Sequence, residues 1–141
     1  MTQPPQEPVT TVPYTRIEAT VDGGCRFVDA AIAAVPRLVA TGVPPMLVGA
    51  LPSAGGVAYL RSEGFDSVPH PAPAVQWVVM LRGTVEVTVS TGEARRFSPG
   101  DLLLAADVTG VGHRSAGVGA APFECLFIPV DPSWDVLALK G

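Results

Sequence analysis

Clusters of basic residues are missing from this 141-residue chain: nine Lys and Arg stand against thirteen Asp and Glu, for a formal net charge of −4. Phosphate backbones are gripped by a basic face, so nucleic acid is not an expected partner and small molecules suit the chain better. No apolar run approaches the ~20 residues that carry a helix across a bilayer, so no membrane span is expected. The opening stretch, Met1 to Pro8, has neither the charge nor the apolar core of a signal peptide. Cysteine is scarce too. Cys25 and Cys125 lie far apart and form no CxxC pair, which fits two reduced thiols in a cytoplasmic protein. No internal repeat is present.

Turn residues, by contrast, are abundant. Fifteen Gly and fifteen Pro punctuate a chain that is 48% hydrophobic. That combination suits an all-β domain with many short strands and enough apolar side chains for one core. Residues 1–14, rich in Pro, Gln and Thr and without periodicity, read as a flexible N-terminal arm, leaving residues 15–141 as one domain. Ala30 to Val39 reads equally as a short helix broken by Pro36 or as strand and turn. From Val57 onward the signals are clearer. Val57–Arg61, Gln76–Leu81, Arg95–Phe97, Leu102–Ala105 and Phe123–Val130 are strand-like, and Arg82-Gly83, Thr91-Gly92 and Pro99-Gly100 turn between them. Thr84 to Ser90 alternates Val85, Val87 and Val89 with Glu86, Thr88 and Ser90, the pattern of a half-buried strand. Arg95 and Arg96 read as a solvated strand edge. Such spacing means a sandwich or a closed barrel.

Residues 70–113 carry more specific information. His70, Ala72, Gln76 and Gly83 fall at the spacing of a motif that usually reads HxH, then Glu, then Gly. Gly92, Gly100, Leu103 and Asp107 fall at the spacing of a second, usually G-x5-PxG-x2-H-x3-N, with Pro99 one position late. These are the two signature motifs of the cupin superfamily, which the chain resembles over roughly residues 22–130. The string GEARRFSPGDLLLAADVTGVGH, preceded by His70-Pro71-Ala72-Pro73 and Gln76-Trp77, is similar to a subgroup of small cupins. That subgroup tends to carry Glu where this chain has Ala106 and Lys where it has Val111. The resemblance implies a jelly-roll barrel and, because small cupins commonly pair, a homodimer.

A cupin metal usually sits on three His and one Glu. Of those positions this chain keeps only His70, since Ala72 and Leu103 have no lone pair to give and the Gln76 carbonyl is a weak ligand for iron, nickel or zinc. No bound cofactor is therefore expected. The alternative is a rearranged site in which His70, His113 and Asp107 hold Fe or another divalent metal, as in non-haem iron oxygenases.

Strand parity sketches a pocket. If Gln76 points inward, so do Val78 and Met80, while Trp77, Val79 and Leu81 face another layer or a partner. If Leu103 points inward, so do Ala105 and, should the strand stay regular, Asp107. The expected substrate-binding residues are Gln76, Tyr59, Val78, Met80, Leu103 and Ala105, and the expected catalytic residues are His113, Asp107 and His70. An apolar cavity with a few polar points is what a small-molecule site looks like. Plainer uses remain open: a loop position for His70, a backbone partner for Gln76, and a turn-closing hydrogen bond between Asp107 and His113.

Three functions follow as expectations. The first is a metal-independent isomerase, cyclase or lyase acting on an apolar metabolite, which the barrel folds into a reactive shape while a histidine moves a proton. The second is a metal-dependent dioxygenase on the rearranged site. The third is a binding module that does no chemistry.

Overall fold

The computed structural model describes residues 10–63 and 66–134. Among these residues ten strands form two sheets, with a single helical turn at Pro132–Trp134. The strands are β1 (Thr10–Ala19), β2 (Cys25–Arg37), β3 (Met46–Gly49), β4 (Ala58–Ser62), β5 (Gln76–Arg82), β6 (Val85–Thr88), β7 (Ala94–Phe97), β8 (Leu102–Ala105), β9 (Arg114–Gly117) and β10 (Phe123–Pro129). The larger sheet has the order β3-β2-β1-β8-β5-β10-β4 and the smaller one β7-β6-β9. All neighbours are antiparallel except β1 and β8, so the larger sheet is mixed. Among the described residues no strand belongs to both sheets, so the ladders do not close into a continuous barrel.

The alternation in β6 has the expected effect. Val85, Val87 and Val89 are buried while Glu86 and Thr88 are half-exposed, because successive side chains leave a strand on opposite faces. Those valines and Phe97 meet Ile17, Phe27, Met80, Leu103 and Cys125 from the larger sheet, forming the core between the sheets. A second cluster, Tyr14, Val75, Trp77, Leu104 and Val130, covers the opposite face of the larger sheet. There Tyr14 meets Trp77 edge to face at 4.9 Å, and Trp134 lies 5.8 Å from the same ring. Trp77 is fully buried within its own chain, so it does not form the outward patch that parity suggested; of that set Leu81 is exposed.

One other expectation is corrected, and one open between two readings is resolved. Thr10–Tyr14, assigned to the arm by composition, is the first half of β1 and pairs with Ala30–Ala34; residues 1–9 lie outside the described residues. The Ala30–Val39 stretch is not a helix, because it continues β2 as far as Arg37. Its proline is tolerated: among the described residues Pro36 lies past the last β1 pair, Thr10 with Ala34, and has a strand neighbour on one side, Leu47. Arg95, for its part, leaves the small sheet to pair with Asp29 at 2.6 Å and to cover the Phe27 ring at 4.9 Å.

Candidate functional site

Between the sheets lies a cavity of about 200 Å³. A dry apolar space of about 150 Å³ already accepts benzene, so this one admits a small organic molecule. Its walls follow strand parity: Gln76, Val78 and Met80 from β5, Leu103 and Ala105 from β8, Val85 and Val87 from β6. Sequence reading missed Phe123, Cys125 and Phe127 of β10, although the same period-two rule puts them on one face. Leu60, Arg61 and Ser62 of β4 also line it. Tyr59 does not take part. It is 57% exposed and its hydroxyl donates to Glu124, since the register that turns Leu60 inward turns Tyr59 outward.

One end of the cavity is polar. There the segment after β4 runs along β9 and continues the small sheet through isolated pairs, Asp66 with Ala116 and His70 with His113. Arg114 grips Asp66 through both carboxylate oxygens at 2.9 Å, and Ser67 and Ser115 exchange hydrogen bonds. The backbones of His70 and His113 bond reciprocally at 3.0 and 3.1 Å. Gly112 makes this approach possible: at φ +75°, a Cβ there would stand 2.0 Å from the His70 carbonyl carbon and oxygen.

That backbone pairing brings the two imidazoles to 5.4 Å between ring centres. His113 Nδ1 lies 2.7 Å from Asp107 Oδ2, across the turn that Gly110 and Gly112 make. With Asp107 ionised, Nδ1–H donates to it, which fixes the tautomer and leaves Nε2 as a lone-pair acceptor. His70 is held in the same tautomer, donating from Nδ1 to the Val68 carbonyl at 2.9 Å. Both rings line the cavity, His113 buried and His70 exposed to solvent at its rim. An imidazole backed by a carboxylate thus stands beside a second, solvent-exposed imidazole, an arrangement able to move a proton.

Asp107 itself does not face the cavity. It is 0% exposed and stands behind His113, and its Oδ1 has no hydrogen-bond partner among the described residues. Gln76 does face the cavity; it is 8% exposed, and its amide makes no hydrogen bond among the described residues. Cys125 lines the wall, and burial pushes its thiol above the usual range, so it stays protonated. Burial raises the Cys25 thiol as well, and its sulfur donates to the Gly112 carbonyl at 3.2 Å.

The four positions that the cupin resemblance would match to metal ligands, His70, Ala72, Gln76 and Leu103, all line this cavity. They do not fit a transition metal, because one imidazole and one amide carbonyl are the whole donor set. The rearranged alternative does not assemble either. Asp107 is turned onto His113 Nδ1, and no three His, Cys, Asp or Glu gather as a ligand set among the described residues. No known family model matches this chain, and no curated protein matches it in sequence.

Proposed function

We propose that the chain is a jelly roll of the cupin kind that binds a small apolar metabolite between its sheets and moves a proton on it without a metal. The fold reading is supported by the two signature motifs and by the meeting of their residues, His70 to Gln76 and Leu103, around one cavity. The single observation that carries the chemistry is the His113–Asp107 bond of 2.7 Å at the polar end of an otherwise apolar space.

A neutral His113 Nε2 takes a proton from one carbon of the ligand, and the electron pair of the broken C–H bond shifts into the ligand. Asp107 stabilises the imidazolium that forms. Return of the proton to another carbon gives an isomer, and loss of a leaving group gives an elimination; neither consumes a co-reactant. The walls hold the ligand in one shape, and such positioning alone removes a large part of a barrier. A module that binds without chemistry would use the same cavity, but the second imidazole beside His113 favours proton transfer. Two buried free thiols suit a reducing compartment such as the cytoplasm.

The test is solvent exchange. Protein in D₂O is incubated with neutral apolar ketones and unsaturated carbonyl compounds, and deuterium uptake is read by NMR. Uptake that depends on His113 is expected. Equal uptake with His113→Ala would overturn the proton-transfer reading.

A further inference from the structure

Gln76 opens β5 and stands level with Ala105 of β8 and Pro129 of β10. It is more than nine-tenths buried, lines the cavity, and its amide has no hydrogen-bond partner among the described residues. Nearby wall residues Val78, Leu103 and Ala105 have neither donor nor acceptor side chains. An amide that lines an apolar cavity without a protein partner is placed to bond a molecule that enters it.

We infer that Gln76 is the group that reads the ligand's oxygen, and that the ligand is a neutral apolar molecule whose carbonyl oxygen accepts a hydrogen bond from Gln76 Nε2–H. The inference rests on the cavity being the ligand site and adds which chemistry that site selects. A hydrocarbon would leave the amide unpartnered. An acid is disfavoured because the cation on the wall, Arg61, is exposed and already paired with Glu63 at 3.0 Å. An acid at the histidine end would also stand near the buried Asp107 carboxylate, and like charges in an apolar interior repel strongly.

A carbonyl also suits the neighbouring base. Its α-hydrogen is acidified, so His113 Nε2 takes that proton while the C–H electron pair becomes the C=C bond of an enolate. The carbonyl π pair moves onto oxygen, where the Gln76 N–H supports the growing charge. Reprotonation from His113 at carbon restores the enzyme, with all atoms accounted for.

The chain has three methionines, Met1, Met46 and Met80, and Met80 lines the cavity. Labelling the methionine methyls with carbon-13 therefore makes the Met80 signal a gauge of occupancy. Acetophenone, benzoate and ethylbenzene, similar in size but different in polar group, are titrated into wild type, Gln76→Leu and Gln76→Glu. Acetophenone should bind about tenfold tighter than the other two, the share of one net hydrogen bond. Both variants should lose that advantage, Leu by deleting the amide and Glu by replacing its donor with a carboxylate. Ethylbenzene should bind Gln76→Leu at least as well as wild type, which shows that the cavity survives. Equal binding of ethylbenzene or benzoate to wild type, or unchanged acetophenone affinity in Gln76→Leu, overturns the inference while leaving the cavity as a binding site. If none of the three probes moves the Met80 signal, the cavity reading falls, and this inference with it.

Discussion

Asp107 offers one carboxylate oxygen to His113 Nδ1 at 2.7 Å and leaves the other without a partner among the described residues, in a position fully shut off from solvent. The bond is therefore structural as well as chemical. Truncating His113 to Ala strands a buried carboxylate, and we predict a loss of about 3 kcal/mol. Removing both groups in His113→Ala/Asp107→Ala should cost less than the sum of the two single changes, by about 1 kcal/mol or more. Urea denaturation of the four proteins measures this. Additive losses would mean that the two residues do not sustain each other.

The close approach of Gly112 to His70 makes a sharper prediction. A Cβ at Gly112 meets backbone 2.0 Å away, whereas one at Gly92, also at positive φ, meets nothing within 4 Å. Gly92→Ala should cost about 1 kcal/mol, the strain of a left-handed backbone alone. Gly112→Ala should cost well over twice that, because the His70–His113 pairing must open. Melting curves of both variants decide it, and equal losses would contradict the packing described.

Much of the cavity was legible in the residues, because parity is a strict rule wherever a strand is short and regular. Gln76, Val78 and Met80 line it together, as do Leu103 and Ala105. The rule failed where its starting point was unknown: nothing in Val57–Arg61 said whether Tyr59 or Leu60 turned inward. It also failed beyond β8, where the strand ends at Ala105 and Asp107 turns behind His113. The Asp107–His113 bond itself was foreseeable, six residues apart across two glycines. β2 was hidden because Ala30, Ala31, Ala33, Ala34 and Pro36 carry little strand signal, and β1, although it holds Thr, Val, Tyr and Ile, because Pro13 interrupts it and its apolar residues do not alternate cleanly. Trp77 looked like an interface residue because its covers, Tyr14 and Trp134, come from distant parts of the chain.

Acid stability should depend on Glu18. Burial alone would raise its carboxyl, but hydrogen bonds and charge from Arg16 and Arg26 outweigh that and hold it below the usual value. A carboxylate whose folded value is lowered stabilises the protein above its unfolded value, near 4.5, and that contribution is lost as pH falls through the folded value. Glu18→Gln should therefore cost about 1 kcal/mol at pH 7 and less at a pH below 4.5. Denaturation at the two pH values checks it; a constant difference would show that the effect is not the charge.

Homodimerisation, proposed from the cupin resemblance, needs a surface other than Trp77. Among the described residues β3 forms an edge of the larger sheet, and its Met46, Leu47 and Val48 are exposed together with Leu38. An apolar edge without charges invites another strand. Light scattering at micromolar concentration should give twice the 14.5 kDa of one chain. Leu47→Lys with Val48→Lys should give the monomer. A monomeric wild type would refute the proposal.

The most direct measurement is a crystal structure of the protein with acetophenone bound. The account predicts the ring among Val78, Met80 and Leu103, the oxygen within hydrogen-bond distance of Gln76 Nε2, and the α-carbon turned toward His113 Nε2. A ring bound outside the sheets, or an oxygen turned away from Gln76 with His113 out of reach of the α-carbon, would contradict it.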